Sequence, residues 1–359
     1  MPDALMEITT NIACRVQCSF CPQTLLIDEY SSQNQIEGIN YGNPAIMSFE
    51  TFKKCIDKIS PSIPILFGGY SEPFLAPECT KMIVYAYDAG HPIQVYSTLV
   101  GLKLEDIDKF KHIKFKGFQV HLPDADMFAK IAINKNYLEV LKKLLTSNIK
   151  NLTGMTMGSV NSKIKEVLET EMGHTEMISR AGNVESVKNN FERKLGPLVC
   201  NRASARGLED KLDANVLLPN GDVALCCMDY GLQNILGNLI KTDYDSLFQS
   251  DSFKKIQEKM KAHDSDIICR NCTEAISEDE LNERKKIKDS YTNDKTAQSI
   301  IYLYQDLLQR FPDKDGFNYF YSKISSSELS IKDVENSVKQ SEEFKFLHSS
   351  TLKLKIPKK

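Results

Sequence analysis

The sequence has no apolar run near the roughly 18 residues that a membrane-spanning helix needs, so no membrane span is expected. Its first residues, MPDALMEITT, lack the basic stretch and long apolar segment of a secretion signal. An excess of one charge sign is missing too. Lys and Arg number 45 against 48 Asp and Glu, a net charge of −3. That argues against a protein held on nucleic acid by bulk attraction to phosphate, so no nucleic-acid partner is expected. There is no long repeat and no low-complexity tract. A cytoplasmic, soluble protein is the expectation.

What is present is an ordinary globular composition, 42% hydrophobic and 26% charged over 359 residues. That length suits two or three domains. Ten cysteines stand out. Without a secretion signal a disulfide framework is not expected in so large a chain. Cys14, Cys18 and Cys21 form one close group. Cys200, Cys226, Cys269 and Cys272 form a second, looser one, with Cys227 beside Cys226. Cys55 and Cys79 sit alone in apolar stretches and read as buried core residues.

From 5 to 180, short apolar runs alternate with helical patterns. Strands are expected at 5–9, 63–67, 93–97, 116–121, 152–157 and 175–179, and helices at 49–59, 79–89, 104–110, 137–146 and 162–171. Ser48 reads as an N-cap and Gly90 as a residue just past a helix end. The alternation predicts an α/β fold with a parallel sheet. Six units are too few for a closed eight-fold barrel, so an open, partial (β/α)6 TIM-like barrel is expected, with its site at the strand C-terminal ends. From about 196 the pattern changes. Residues 215–227 read as a hairpin whose Asn220-Gly221 suits a tight primed turn. A small β-hairpin/helix cluster domain at 196–276 would follow the core at 1–190. Residues 277–296 are charged and read as a linker-like helix, and 297–350 as a C-terminal all-α unit. The basic tail KLKIPKK reads as solvated.

Three thiolates on one loop can hold three irons of a [4Fe–4S] cluster and leave the fourth iron open to a small molecule. Zinc is the competing reading, but it usually takes four ligands, and no fourth Cys or His lies near Cys14–Cys21 in sequence. The run Cys14-Arg15-Val16-Gln17-Cys18-Ser19-Phe20-Cys21 after a first strand resembles the radical SAM superfamily. The resemblance implies that S-adenosylmethionine binds the open iron and that Phe20 lies near its adenine. It also implies reductive cleavage to a 5′-deoxyadenosyl radical that abstracts hydrogen from substrate. An external one-electron reductant such as flavodoxin or ferredoxin is then expected. Gly68-Gly69-Tyr70-Ser71-Glu72-Pro73 blends the family's GGE-like and GEP-like segments. Gly68, Gly69 and Glu72 are thereby candidates for the cofactor site, against the plainer reading of a turn. Ser97 stands where related proteins contact ribose or carboxylate, or is a simple strand end.

The second cysteine group resembles the SPASM/twitch region, through Gly221-x₄-Cys226, Leu236-Gly237-Asn238 and Cys269-x-x-Cys272. Taken alone, four cysteines with one C-x-x-C would suggest zinc. After a radical SAM motif they imply an auxiliary [4Fe–4S] cluster on Cys200, Cys226, Cys269 and Cys272, the second of two clusters. Neighbours in a strand point to opposite faces, so only one of Cys226 and Cys227 is expected as a ligand, and the spacing selects Cys226. No cysteine follows Cys272, which implies one auxiliary cluster rather than two. A fully ligated cluster suits electron transfer. That implies a dehydrogenase like the twitch-domain radical SAM enzymes acting on aminocyclitols, oxidising a sugar, cyclitol or similar hydroxyl-bearing metabolite. Ser179-Arg180-Ala181-Gly182 resembles a substrate-contacting segment of those enzymes, so Arg180 is the candidate catalytic residue, against a surface or ion-paired arginine. The alternative is a maturase acting on a ribosomally made peptide. The chain begins at its first strand, so no peptide-recognition domain is expected ahead of it. A cluster-binding scaffold is the non-enzyme reading. Residues 302–316, with Ser341-Glu342-Glu343-Phe344, resemble a small helical domain of unknown function with an LYxxLLxRxPDxxG signature. A protein partner is expected there. Asp313 and Asp315 lack the EF-hand pattern and read as cap and turn residues.

Overall fold

The computed structural model describes residues 4–169, 173–175 (backbone), 177–184, 187, 192–202, 212–308, 310–347 and 352–355. β1 (Leu5–Ile8) enters the core directly. Met6 and Ile8 point to the main hydrophobic cluster, while Glu7, also buried, faces the other way. A short arm pairs β2 (Asn11–Ile12) with β3 (Ala45–Ile46). There follow β4 (Ile65–Phe67), β5 (Ile93–Ser97), β6 (Gly117–His121), β7 (Leu152–Met157) and β8 (Gly173–Thr175). β9 (Leu198–Cys200), β10 (Ala214–Leu217), β11 (Asp222–Ala224), β12 (Ile235–Asn238) and β13 (Ala275–Ser277) complete the strands.

The main sheet runs β12-β11-β10-β1-β4-β5-β6-β7-β8. From β1 to β8 every pairing is parallel and in chain order, the partial (β/α)6 barrel. Helices fill the crossovers as parallel strands require. Ser48 caps Phe49–Ile56 by accepting the Thr51 N–H, and Gly90, at φ 97°, follows Cys79–Asp88. On the other side β10 lies parallel to β1 and carries the antiparallel β11 and β12. The sheet and its hydrophobic cluster therefore run without a break from the barrel into the hairpin region.

Three local expectations are corrected. The sixth strand ends at Thr175 instead of beginning there. Its last pairing is with Met157, after which Gly158 turns β7 away at φ 70° and leaves no strand to pair with. The hairpin turn has three residues, not two. Gly221 N–H donates to Leu218 O, Leu218 N–H to Asp222 O, and only Gly221 takes a positive φ, 87°. Pro219 pre-sets the first turn residue for this type I turn with an αL third residue. The tail is not free either. Leu352 is buried in the main cluster, Leu352 N–H donates to Leu152 O and Lys355 N–H to Val167 O.

The charged stretch forms the helix Glu278–Ser290, capped by Ser277. Leu281 packs with Val199 near the second cysteine group, and Ile287 enters a separate C-terminal cluster. That cluster is built from helices Lys295–Leu307, Lys314–Ser325 and Ile331–Gln340 around Ala297, Ile300, Phe311, Phe317 and Val334. Asp313 caps the second of these by accepting the Gly316 N–H at 2.8 Å, and Arg310 clamps Glu343 at 2.6 and 2.9 Å. No described helix is long and apolar enough to cross a membrane.

Candidate functional site

The site grows from the C-terminal end of β1. After β2, Ala13 and Gln17 take left-handed backbone, φ 73° and 55°, which folds the cysteine loop back on itself. Gln17 N–H donates to Cys14 O and Cys21 N–H to Cys18 O. Gln23, buried at the start of helix Gln23–Asn34, holds the loop. Its Oε1 accepts the Cys14 N–H at 3.0 Å. Its Nε2 donates to Tyr70 O at 2.6 Å and meets Cys21 Sγ at 3.4 Å. The Glu72 N–H points at Cys14 Sγ at 3.4 Å. Burial pushes the Cys14 thiol up to about 12, with Glu72 and Cys21 adding to it, and raises Cys18, with Cys21 and Cys14 adding. Cys14 and Cys18 therefore resist ionising unaided. Bound cations would draw them to thiolates and release protons.

The Gly68–Pro73 segment packs against this loop. Gly69 sits at φ 51°, where a Cβ would lie 2.5 Å from Thr9 Oγ1 and 3.0 Å from the end of β1. Its glycine is thus required by close backbone packing. Gly68 carries no such demand, since a Cβ there would meet nothing nearer than 3.4 Å. Glu72 and Ser97 are brought together. Glu72 Oε1 accepts Ser97 Oγ at 2.8 Å and Phe74 N–H at 3.2 Å, and Oε2 accepts Thr98 N–H at 2.5 Å and Thr98 Oγ1 at 2.7 Å. Burial raises this carboxyl to about 7 despite those donors. Both side chains are committed to each other, and the segment's backbone is tied to Ile8, Thr9, Asn11 and Gln23.

The second group is assembled by the β9–β13 ladder, which sets Cys200 opposite Ala275. Cys269 lies in the single turn Ile268–Asn271, with Cys272 next. Burial raises Cys226 and Cys269, and the other cysteines of the group raise them further; Cys200 reaches about 12. Those mutual effects show that Cys200, Cys226, Cys269 and Cys272 share one neighbourhood. Arg270, fully buried, binds the turn in place by donating to the carbonyls of Lys194, Gly196, Lys259 and Ala262 at 3.1, 2.7, 3.3 and 2.5 Å.

Cys227 turns to the opposite side, packed with Tyr70, Tyr230 and Val216. Arg202 donates to its Sγ at 2.8 Å and to Glu7 Oε1 at 2.9 Å. Burial pushes this thiol up to about 11 against the pull of Arg202 and Arg180. Arg180 begins a left-handed run, φ 50°, 56° and 91° through Gly182. Burial opposes its charge, but Tyr230, Cys227, Cys21 and Glu7 around it raise its pKa above the ordinary value. Its Nε has no hydrogen-bond partner. Arg180 therefore lies within electrostatic reach of Tyr230, Cys227 and the first cysteine loop.

Two further residues belong to the site and were not singled out in the sequence. Phe20 stacks on His121 at 5.5 Å and 18°. His121 ends β6, where the alternation Gly-Phe-Gln-Val-His turns Gln119 and His121 away from the main cluster while Phe118 and Val120 join it. Its Nε2 is buried without a partner. Burial, with Arg180 adding, pushes the imidazole down to about 4, so it is neutral at pH 7. Tyr230 is the other. Its hydroxyl meets Cys21 Sγ at 3.4 Å.

The donor sets fit iron–sulfur clusters. N–H donors are aimed at the Cys14 and Cys21 sulfurs, as thiolates require. Among the described residues no three His, Cys, Asp or Glu side chains converge on a single metal ion. A [4Fe–4S] cube asks for something else, one thiolate per iron. The first set would ligate through Cys14, Cys18 and Cys21, the second through Cys200, Cys226, Cys269 and Cys272.

Residues 211–273 match the model of an iron–sulfur cluster-binding domain, SPASM, and residues 280–348 match a domain of unknown function, DUF4214. No curated protein matches the chain. Among solved structures, BtrN in complex with AdoMet and 2-DOIA is similar at 14% identity over 72% of this chain and 87% of that one, with a TM-score of 0.48. Native anSMEcpe with bound AdoMet is similar at 11% over 75% and 86%, TM-score 0.45. Streptococcus suis SuiB bound to the precursor peptide SuiA is similar at 10% over 71% and 66%, TM-score 0.46. The chain thus carries a match to an iron–sulfur cluster-binding SPASM domain at 211–273, and its C-x₃-C-x₂-C loop at the end of β1 of a partial barrel resembles that of the radical SAM proteins.

Proposed function

We propose that this chain is a radical SAM enzyme and that it oxidises a hydroxyl-bearing metabolite of the sugar or cyclitol class. The observation that carries the reading is the position of Arg180. An incompletely hydrogen-bonded guanidinium lies within electrostatic reach of Cys227, next in sequence to Cys226 of the four-cysteine set, and of Cys21 of the three-cysteine loop. Loaded with two [4Fe–4S] clusters and S-adenosylmethionine, the sites would supply a 5′-deoxyadenosyl radical that takes a hydrogen atom from substrate, and an acceptor for the electron that leaves.

The chain's own residues do the rest. Arg180 offers a fixed fork of donors to substrate oxygens. His121 is neutral, with a buried Nε2 that has no partner, and is our candidate to hold the substrate hydroxyl, whose proton passes on to solvent. Hydrogen atom, proton and electron together make the two-electron oxidation of an alcohol to a carbonyl. Phe20, against His121, borders the adenine position, and the backbone of Gly68–Ser71 is the surface offered to the cofactor's amino acid end. Flavodoxin or ferredoxin is the proposed reductant. We take 1–190 as the core, 196–276 as the cluster domain and 297–350 as a module for a protein partner, in a cytoplasmic enzyme. Anaerobic reconstitution with deuterated polyols tests the reading. Label should appear in 5′-deoxyadenosine together with a carbonyl product. Label transfer from a peptide alone would favour a peptide maturase.

A further inference from the structure

Tyr230 lies in the SPASM-matched segment, four residues after Cys226, yet its hydroxyl contacts a cysteine of the barrel. It is buried, and its ring rests on Tyr70 with centroids 4.6 Å apart, tilted 55°. The Tyr70 hydroxyl donates to the carbonyl of Cys226 at 2.6 Å and to that of Asp229 at 3.1 Å. The Asp229 carboxylate in turn accepts the N–H groups of Gln233 and Asn234 at 3.1 and 2.8 Å. A continuous set of contacts therefore runs from the Cys21 sulfur to the backbone of Cys226. Gln23, the other donor near Cys21, belongs to the barrel itself. Tyr230 is the contact that comes from the second unit.

A ligating thiolate can only accept a hydrogen bond, so the Tyr230 hydroxyl donates. We propose that Tyr230 is a positioning residue that couples the two cysteine sets, lending the Cys21 sulfur a hydrogen bond that the turn following Cys226 holds in place. The inference rests on the reading that Cys14, Cys18 and Cys21 hold an iron–sulfur cluster. Reduction adds negative charge to the cluster, and donors at its sulfurs stabilise that charge and raise the potential. Loss of the second set would loosen the Cys226–Tyr230 turn and withdraw the donor from the first cluster.

The test uses full-length, anaerobically reconstituted protein and redox titration followed by electron paramagnetic resonance. S-Adenosylmethionine perturbs only the signal of the cluster with an open iron, which identifies it. Tyr230→Phe keeps the ring and removes the hydroxyl. It should retain wild-type iron and shift that cluster's midpoint to a more negative potential. Tyr70→Phe, which keeps the Cys21 contact but frees the turn, should shift it in the same direction by less. The Cys269→Ala/Cys272→Ala variant should also shift it negatively, and adding Tyr230→Phe there should shift it little further. An unchanged potential in iron-replete Tyr230→Phe, or shifts that simply add, would overturn the coupling. A wild-type protein with no signal responsive to S-adenosylmethionine would instead refute the cluster reading on which it rests.

Discussion

Arg270→Ala is the most informative single change in the second cysteine group. The guanidinium is fully buried inside Cys269-x-x-Cys272 and donates to four backbone carbonyls and to Ser265 Oγ. A hydrogen bond contributes about 0.5–1.5 kcal/mol net. Gly196 and Ala262 are half-buried, so water can take up part of what their carbonyls lose, and these two shortest bonds count for about 1–3 kcal/mol. That is still a substantial part of the roughly 5–15 kcal/mol that holds an ordinary domain. The loss falls on the turn that presents Cys269 and Cys272, while the first cysteine loop is held by Gln23 and Tyr70. Arg270→Ala should therefore lower the unfolding temperature and reduce reconstituted iron from about eight to about four per chain, following two [4Fe–4S] clusters. Arg270→Lys should fall between, because an ammonium cannot span the fork. Iron and sulfide analysis with thermal unfolding decides it. An Arg270→Ala protein with wild-type iron and an unchanged transition would refute the reasoning.

Gly69→Ala should destabilise markedly while Gly68→Ala unfolds like wild type, since only the former puts a Cβ 2.5 Å from Thr9 at positive φ; loss of S-adenosylmethionine binding in a stable Gly68→Ala protein would mark Gly68 as a ligand contact. Cys272→Ala should still form 5′-deoxyadenosine but not the oxidised product, and product formation at the wild-type rate by a variant lacking the second cluster would sink the electron-acceptor role. His121→Gln should likewise keep cofactor cleavage while slowing oxidation; equal loss of both would make His121 a cofactor contact instead. Truncation before Leu352 should lower the unfolding temperature by removing a buried side chain that packs beside Leu152, and an unchanged transition would show the tail contributes nothing to the core.

Most of the barrel was readable because its first five parallel strands carry apolar residues and alternate with helices whose ends are marked, as by Ser48 and Gly90, whereas the sixth, Gly173–Thr175, has no apolar run to announce it. The cysteines fall into two groups by spacing, their chemistry was read through the family resemblance, and the hairpin was read from Asn220-Gly221 although its turn is one residue longer than expected. What the sequence concealed is long-range. Nothing local says that Tyr230 will reach Cys21, that Arg270 will spend its donors on carbonyls from 194 to 262, or that residues 353–355 will pair with Val167–Glu169. His121 could have been found, because the alternation in β6 puts it on the face opposite Phe118 and Val120 at the strand's C-terminal end, where barrel sites lie. The carboxylate partners of Glu72 were equally hidden, since Ser97, Thr98 and Phe74 come to it from a later strand end and a short turn.

The central claim is that two iron–sulfur clusters sit on the two cysteine groups and that the first one cleaves S-adenosylmethionine. It is tested most directly by reconstituting wild-type protein and the Cys14→Ala/Cys18→Ala/Cys21→Ala variant without oxygen, then measuring iron, sulfide and 5′-deoxyadenosine under reducing conditions. The wild type should hold about eight irons and eight sulfides and form 5′-deoxyadenosine, while the variant keeps about four of each and forms none. Zinc in place of iron, equal iron in both proteins, or 5′-deoxyadenosine from the variant would contradict the account.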